Sequence, residues 1–206
     1  MERRRRSILP ASLVFAISMW PALASAQCEL QKLIGNATGD ERFFGGAVHL
    51  AGNRCIIGAG AGTFSAYEGE AHIFERGEDG VWVRTAVLRA DDGERDNGFG
   101  AAVALQGSQA FVGAPSTRDN GSRGAVYVFQ FDGLQWRQIQ RLAGEGAQTS
   151  ARMGASVAVD GEYLAAGAWG GAGLAVLRMS SASSRAGSGC KWLDWHRGSA
   201  TKWAAQ

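Results

Sequence analysis

Three stretches of this chain align without a gap: "FFGGAVHLAGNRCIIGAG" from Phe43, "GFGAAVALQGSQAFVGAP" from Gly98 and "RMGASVAVDGEYLAAGAW" from Arg152. Phe44-Gly45, Phe99-Gly100 and Met153-Gly154 fall in register, 55 and then 54 residues apart. In each stretch a further glycine follows 13 residues later, at Gly58, Gly113 and Gly167. A fixed internal spacing inside a period near fifty marks a chain built from stacked copies of one unit.

The second half of the unit repeats as well. "GEAHIFERGEDGVWVRTAVLRA" begins at Gly69 and "GAVYVFQFDGLQWRQIQRLAG" at Gly124. Each reads as a strand, an Asp-Gly turn at Gly80 or Gly133, and a second strand carrying Trp82 or Trp136. The pattern predicts four strands in the first unit: 46–50, 54–58, 70–75 and 82–88. The second unit is expected to have them at 101–105, 109–113, 125–129 and 135–142. Val, Ile, Phe, Tyr and Trp fill these runs, as a packed pleated surface requires. No amphipathic helix with capping signals falls between residues 36 and 178. The expected fold class is all-β. Four antiparallel strands, repeated radially, make β-propeller blades: about two full blades and a partial third, an incomplete propeller. Gly58-Ala59, Gly113-Ala114 and Gly167-Ala168 are expected where backbones crowd or φ is positive. Trp82 and Trp136 are expected to pack against a neighbouring blade.

Composition supports a β-rich chain. Gly numbers 30 of 206 residues, well above the usual share of roughly 7%, which suits many tight turns. Pro numbers 3 and glycine has no three-residue period, so a collagen-like helix is excluded. Residues 1–26 read as a signal peptide: a basic "MERRRRS", an apolar middle, and Ala24-Ser25-Ala26 before the cut. Removing them takes away four Arg and one Glu, so 21 basic and 19 acidic residues become 17 and 18. The apparent basicity belongs to the targeting segment, and nothing in the mature chain points to nucleic acid. No second apolar run reaches the roughly 18 residues a transmembrane span needs. The expected location is therefore exported: secreted, periplasmic or cell-surface. Export would permit a disulfide, with Cys28–Cys55 the pair to test; an equal alternative is that Cys55 is a small buried residue of a strand.

Phe99-Gly100 followed by Gly113-Ala114-Pro115 resembles the FG-GAP repeat, named for those two motifs and found in the β-propeller head of integrin α subunits and in exported bacterial proteins. The resemblance covers roughly residues 36–178, in units of about 36–89, 90–143 and 144–178. Residues 27–35 are left as a lead-in. The second unit matches best. The first has Phe44-Gly45 but Gly58-Ala59-Gly60 for the triplet, and the third has Met153-Gly154 and Gly167-Ala168-Trp169. Some members of the family hold calcium between the two motifs. Here those connections, 51–53, 106–108 and 160–162, have neither the room nor the 6–8 oxygens calcium takes, so no cofactor is expected. Asp91-Asp92-Gly93-Glu94 and Asp119-Asn120-Gly121 read as solvated turns.

No catalytic constellation is present. The three histidines, His49, His72 and His196, have no metal-site spacing, and no nucleophile-elbow motif occurs. "GAGAG" at 58–62 follows a strand but opens no helix, so it fails as a phosphate cradle. The expected role is non-enzymatic: adhesion-like binding of a protein or surface ligand through loops near 63–69 and 116–123. The alternative is a non-catalytic module, or remnant, of an exported lipid- or glycan-acting hydrolase. After Met179 the rhythm stops. Residues 179–206 read either as a Ser/Gly-rich tail or as the product of a shifted reading frame. Two units and part of a third cannot close a ring, so self-association to complete a propeller is a further expectation.

Overall fold

The computed structural model describes residues 31–35, 43–60, 69–92, 97–116, 123–143, 151–168 and 173–179. Cys28, Cys190, residues 1–26 and 180–206, most of the loops at 63–69 and 116–123, and Asp119-Asn120-Gly121 lie outside them. The described residues fall in one compact unit, Gln31–Gln206. Among them there is no helix, only eleven strands in three antiparallel sheets.

The first sheet is a meander of β1 (Phe44–Ala51), β2 (Arg54–Ala59), β3 (Glu70–Arg76) and β4 (Trp82–Leu88). The second repeats it with β5 (Ala102–Gln106), β6 (Gln109–Ala114), β7 (Ala125–Phe131) and β8 (Trp136–Ala143). The third has β9 (Met153–Asp160), β10 (Tyr163–Ala168) and β11 (Gly173–Arg178), in the order β11-β10-β9. Hairpins set the register. Ala51 pairs with Arg54, Gln106 with Gln109 and Asp160 with Tyr163, leaving two-residue turns that begin at Gly52, Gly107 and Gly161. All three turn glycines have positive φ, as a two-residue hairpin demands.

The strand expectations differ from the structure at their ends, for local reasons. β1 starts at Phe44, two residues early, because the register shifts between Phe44 and Ala47. Gly45 sits in that bulge at φ +89°, and β9 shows the same shift opposite Gly167/Ala168. β5 starts one residue late, because Ala101 N–H donates to Gly98 O at 3.0 Å and holds Ala101 in a turn. β3 and β7 each pair with their outer strand through a bulge, at Ile73/Phe74 and at the equivalent Val128/Phe129. Outer strands therefore carry one extra residue, Thr85 or Ile139, and both are exposed.

The core lies between the sheets. One cluster joins Ile56, Ile73 and Leu88 of the first sheet to Val103 and Leu105 of the second and to Phe99 just before it. Another joins Phe111, Val128 and Leu142 of the second to Met153, Leu164 and Leu177 of the third. Faces of successive sheets thus bury one another, as stacked β-propeller-like blades do. Trp136 packs at the first junction. Trp82 corrects the expectation for it: it packs on Cys55, Ile57 and Phe74 of its own sheet, beside Leu33 of the lead-in. The lead-in also grips β4, since the Gln31 side-chain amide donates to Trp82 O and accepts from Trp82 N, each at 2.8 Å.

One turn carries a pH signature. The Asp132 carboxylate accepts from Gln135 N and Leu134 N, both at 2.9 Å, and from Arg137 Nε at 2.9 Å. These donors, the Gln135 amide foremost, pull its pKa from 3.8 down to about 2. A depressed carboxylate contributes its stability above the unfolded value and loses it as pH falls through the folded one. The turn at 132–135 is therefore expected to lose the Asp132 contribution only as pH falls through the window between about 4 and about 2. A carboxyl NMR titration should place Asp132 at the acid end of that window, and Asp132→Asn should abolish the transition.

Candidate functional site

The meander sorts the connections by length. Turns at 52–53, 77–81, 107–108, 132–135 and 161–162 close one end of the sheets. The opposite end sends out the longer connections at 60–69, 89–101, 115–124 and 144–152, and also the short 169–172 link. Every repeat-motif residue lies at that second end. Phe44-Gly45 opens β1, Phe99-Gly100 precedes β5 and Met153-Gly154 opens β9. Gly58-Ala59, Gly113-Ala114 and Gly167-Ala168 close β2, β6 and β10, and Pro115 follows β6.

The motifs meet across sheets. A Cβ at Gly58 would overlap the Gly100 carbonyl, reaching its carbon at 3.0 Å; a Cβ at Gly113 would overlap the Gly154 carbonyl, reaching its carbon at 2.9 Å. The first glycine of one unit therefore touches the second glycine of the unit before it. The Gly-Ala glycines serve the crowding, while Gly100 and Gly154 also need their φ of +90° and +87°. Within the second unit the motifs are tied as well. Gly100 N donates to Gly113 O at 3.1 Å, and Ser116 N to Asn97 O at 2.8 Å. Buried Asn97 takes Phe99 N at 2.8 Å through its side chain.

The Phe of each pair goes inward. Phe99 meets Tyr127 edge-on at 5.3 Å and Phe129 at 6.0 Å. Phe44 meets His72 and Phe74 in the same way, at 5.2 and 6.4 Å. His72 is thus a fully buried ring in the tyrosine position of the repeat, 3.3 Å from a Glu70 carboxylate oxygen that faces Nε2. Tyr127 donates to Asp92 Oδ2 at 2.6 Å, while Arg141 Nε donates to the phenol oxygen at 3.2 Å. Burial first, then the Asp92 carboxylate, hold the phenol well above its ordinary pKa. Asp92 therefore orients the connection between sheets one and two; Asp91 N, bound by Gln138 Oε1 at 3.1 Å, does likewise.

Polar latches complete each junction, and the repeat gave no signal for them. Arg54 Nη1 donates to Gly107 O at 3.3 Å while its guanidinium lies 4.9 Å from the Phe131 ring centre. Gln106 Nε2 donates to the equivalent carbonyl, Gly161 O, at 2.7 Å. His49 Nδ1 accepts from Leu105 N at 3.1 Å, joining β1 to β5. Replacing His49 with Val removes that acceptor and is expected to cost about 1 kcal/mol in urea denaturation. Cys55 is buried, and burial raises its thiol pKa. Among the described residues no three or more His, Cys, Asp or Glu side chains converge, and no helix is long and apolar enough to cross a membrane.

Stacked four-stranded meanders joined by paired glycine motifs define a β-propeller-like repeat module. The chain carries an FG-GAP repeat: the family model of that repeat matches residues 82–129. The match runs from the outer strand β4 of one sheet through β5, β6 and β7 of the next, so the sequence unit is offset from the sheet by one strand. No curated protein shows a significant match to the chain.

Proposed function

We propose that this chain is an exported, non-catalytic FG-GAP module that binds a protein or cell-surface ligand through the rim of long connections. One observation carries the reading: all long connections leave one end of the sheets, while two-residue and other tight turns close the other. A rigid scaffold presenting variable loops on one rim is a recurrent binding design. The motif residues at that rim hold sheets together, and the acidic pair Asp91-Asp92 is engaged in positioning, so chemistry is not their task.

The test replaces residues 61–68 and 117–122 with Gly-Ser segments and probes the labelled mature chain against arrayed extracellular proteins and glycans. Binding by the parent chain and its loss on replacement, with an unchanged unfolding midpoint, is the expected result. Unchanged binding after both replacements would sink the rim assignment. Export is checked separately: the secreted chain should begin at Gln27 by N-terminal sequencing. Turnover of ester, phosphodiester or glycoside substrates by the purified chain would instead favour the hydrolase-module reading.

A further inference from the structure

The offset between sequence unit and sheet has a counterpart at the lead-in. Leu88 of β4 and Leu142 of β8 each close the face that the next sheet covers. Counting back one period of 55 residues from Leu88 reaches Leu33. Leu33 packs on Cys55, Ile57 and Phe74 of the first sheet, which is the junction position of a fourth strand from a preceding sheet. The first two sheets have four strands each; the third has three described strands and ends on β11 as its edge. Among the described residues the lead-in supplies a fourth strand's side chain with no sheet behind it, and the third sheet has an edge where such a strand belongs.

The faces agree with this pattern. Val103 and Leu105 are 6% and 3% exposed at the first junction, whereas their equivalents Val48 and Leu50 are 58% and 61% exposed. Val126 and Val128 are 0% and 4% exposed at the second junction, whereas their equivalents on β11, Leu174 and Val176, are 61% and 42% exposed. One end of the molecule therefore shows the receiving half of a junction that occurs twice inside it, and the other end shows the giving half. Gly45 repeats the conformation of Gly100 and Gly154, at φ +89°, yet among the described residues a Cβ there would meet nothing within 4 Å.

We propose that two copies of this chain associate head to tail, the third sheet of each packing on the first sheet of the other. The lead-in 31–35 of one copy then adds to β11 of its partner as the fourth strand. Such an interface is heterologous, and it closes when the rotation allows. Two copies bring six described sheets together, within the four to eight blades that close a propeller. The surface lies on the sheet faces, so it is independent of the rim reading above.

The test uses the secreted chain in sedimentation velocity across micromolar concentrations. The expected species has twice the chain mass. Val48→Asp with Leu50→Asp should give a monomer, and so should Leu174→Asp with Val176→Asp. All four side chains are already exposed, and circular dichroism should match the parent. Mixing the two double variants should restore a dimer through the one intact junction, an outcome that a two-fold, same-face interface does not give. A parent chain that stays monomeric, because residues 180–206 or further sheets cover these faces, would overturn the proposal. So would a variant that still dimerises alone, or a mixture that does not associate.

Discussion

Gly113→Ala is expected to cost about 3 kcal/mol or more, enough to lower the soluble yield of the chain, and Gly58→Ala to behave alike. One methyl group is sufficient because it points at main chain. The carbonyls of Gly154 and Gly100 occupy the space, and neither can rotate away as a flexible side chain would. Relief requires the sheets to part, which exposes a junction built from buried apolar side chains. Gly45→Ala is the internal control. It has the φ of the other first glycines but open surroundings, so it should lose only the about 1–2 kcal/mol of a left-handed alanine. Urea midpoints for the three variants provide the comparison. Equal losses at Gly45 and Gly113 would mean that backbone conformation, and not the close approach of sheets, sets the motif.

The second large effect is expected at Phe99. Its ring is 1% exposed, stands edge-on to Tyr127 and Phe129, and lies in the cluster that joins sheets one and two. Phe99→Ala should cost about 3–5 kcal/mol through lost burial and the cavity left behind. Total stability for a domain of this kind is about 5–15 kcal/mol, so the variant is expected to be largely unfolded at modest urea. Phe44→Ala removes the equivalent ring on the first described sheet, where no described sheet packs over it. Phe44 is only partly buried, and a loss near half as large is expected. If the two substitutions cost the same, burial between sheets is not what makes the aromatic of the pair matter.

Much of this architecture was legible from glycine spacing. Gly45, Gly100 and Gly154 mark the bulges and turns that start each first strand, and Gly52, Gly107 and Gly161 mark the hairpins. The all-β class and the strand count of the first two sheets follow from that punctuation. What the sequence could not show is which atoms the motif glycines face, because the partner is a carbonyl a whole unit away. The same holds for Arg54, Gln106 and His49, whose polar bonds cross a junction between residues that do not repeat in type. Trp82 misled for a related reason. It matches Trp136 in sequence, but among the described residues no sheet covers the first one from that side, and its ring settles on its own sheet. The units read from the sequence coincide with the first two sheets, each holding four strands. Strands one to four look like a natural block, whereas the family match begins at strand four.

That phasing resembles masonry laid in running bond, where each course bridges the seam below. Every unit contributes the outer strand of one sheet and the three inner strands of the next, so no sheet is finished until the following unit has been synthesised. During synthesis the chain should therefore gain order in steps that lag one unit behind the ribosome. The same overlap makes the repeat tolerant of copy-number change. Excising residues 82–135 would splice β1, β2 and β3 directly to β8, and the join would be a whole hybrid sheet with its glycine seams intact. Gain or loss of genetic units thus alters the size of the stack without leaving a torn sheet at the breakpoint.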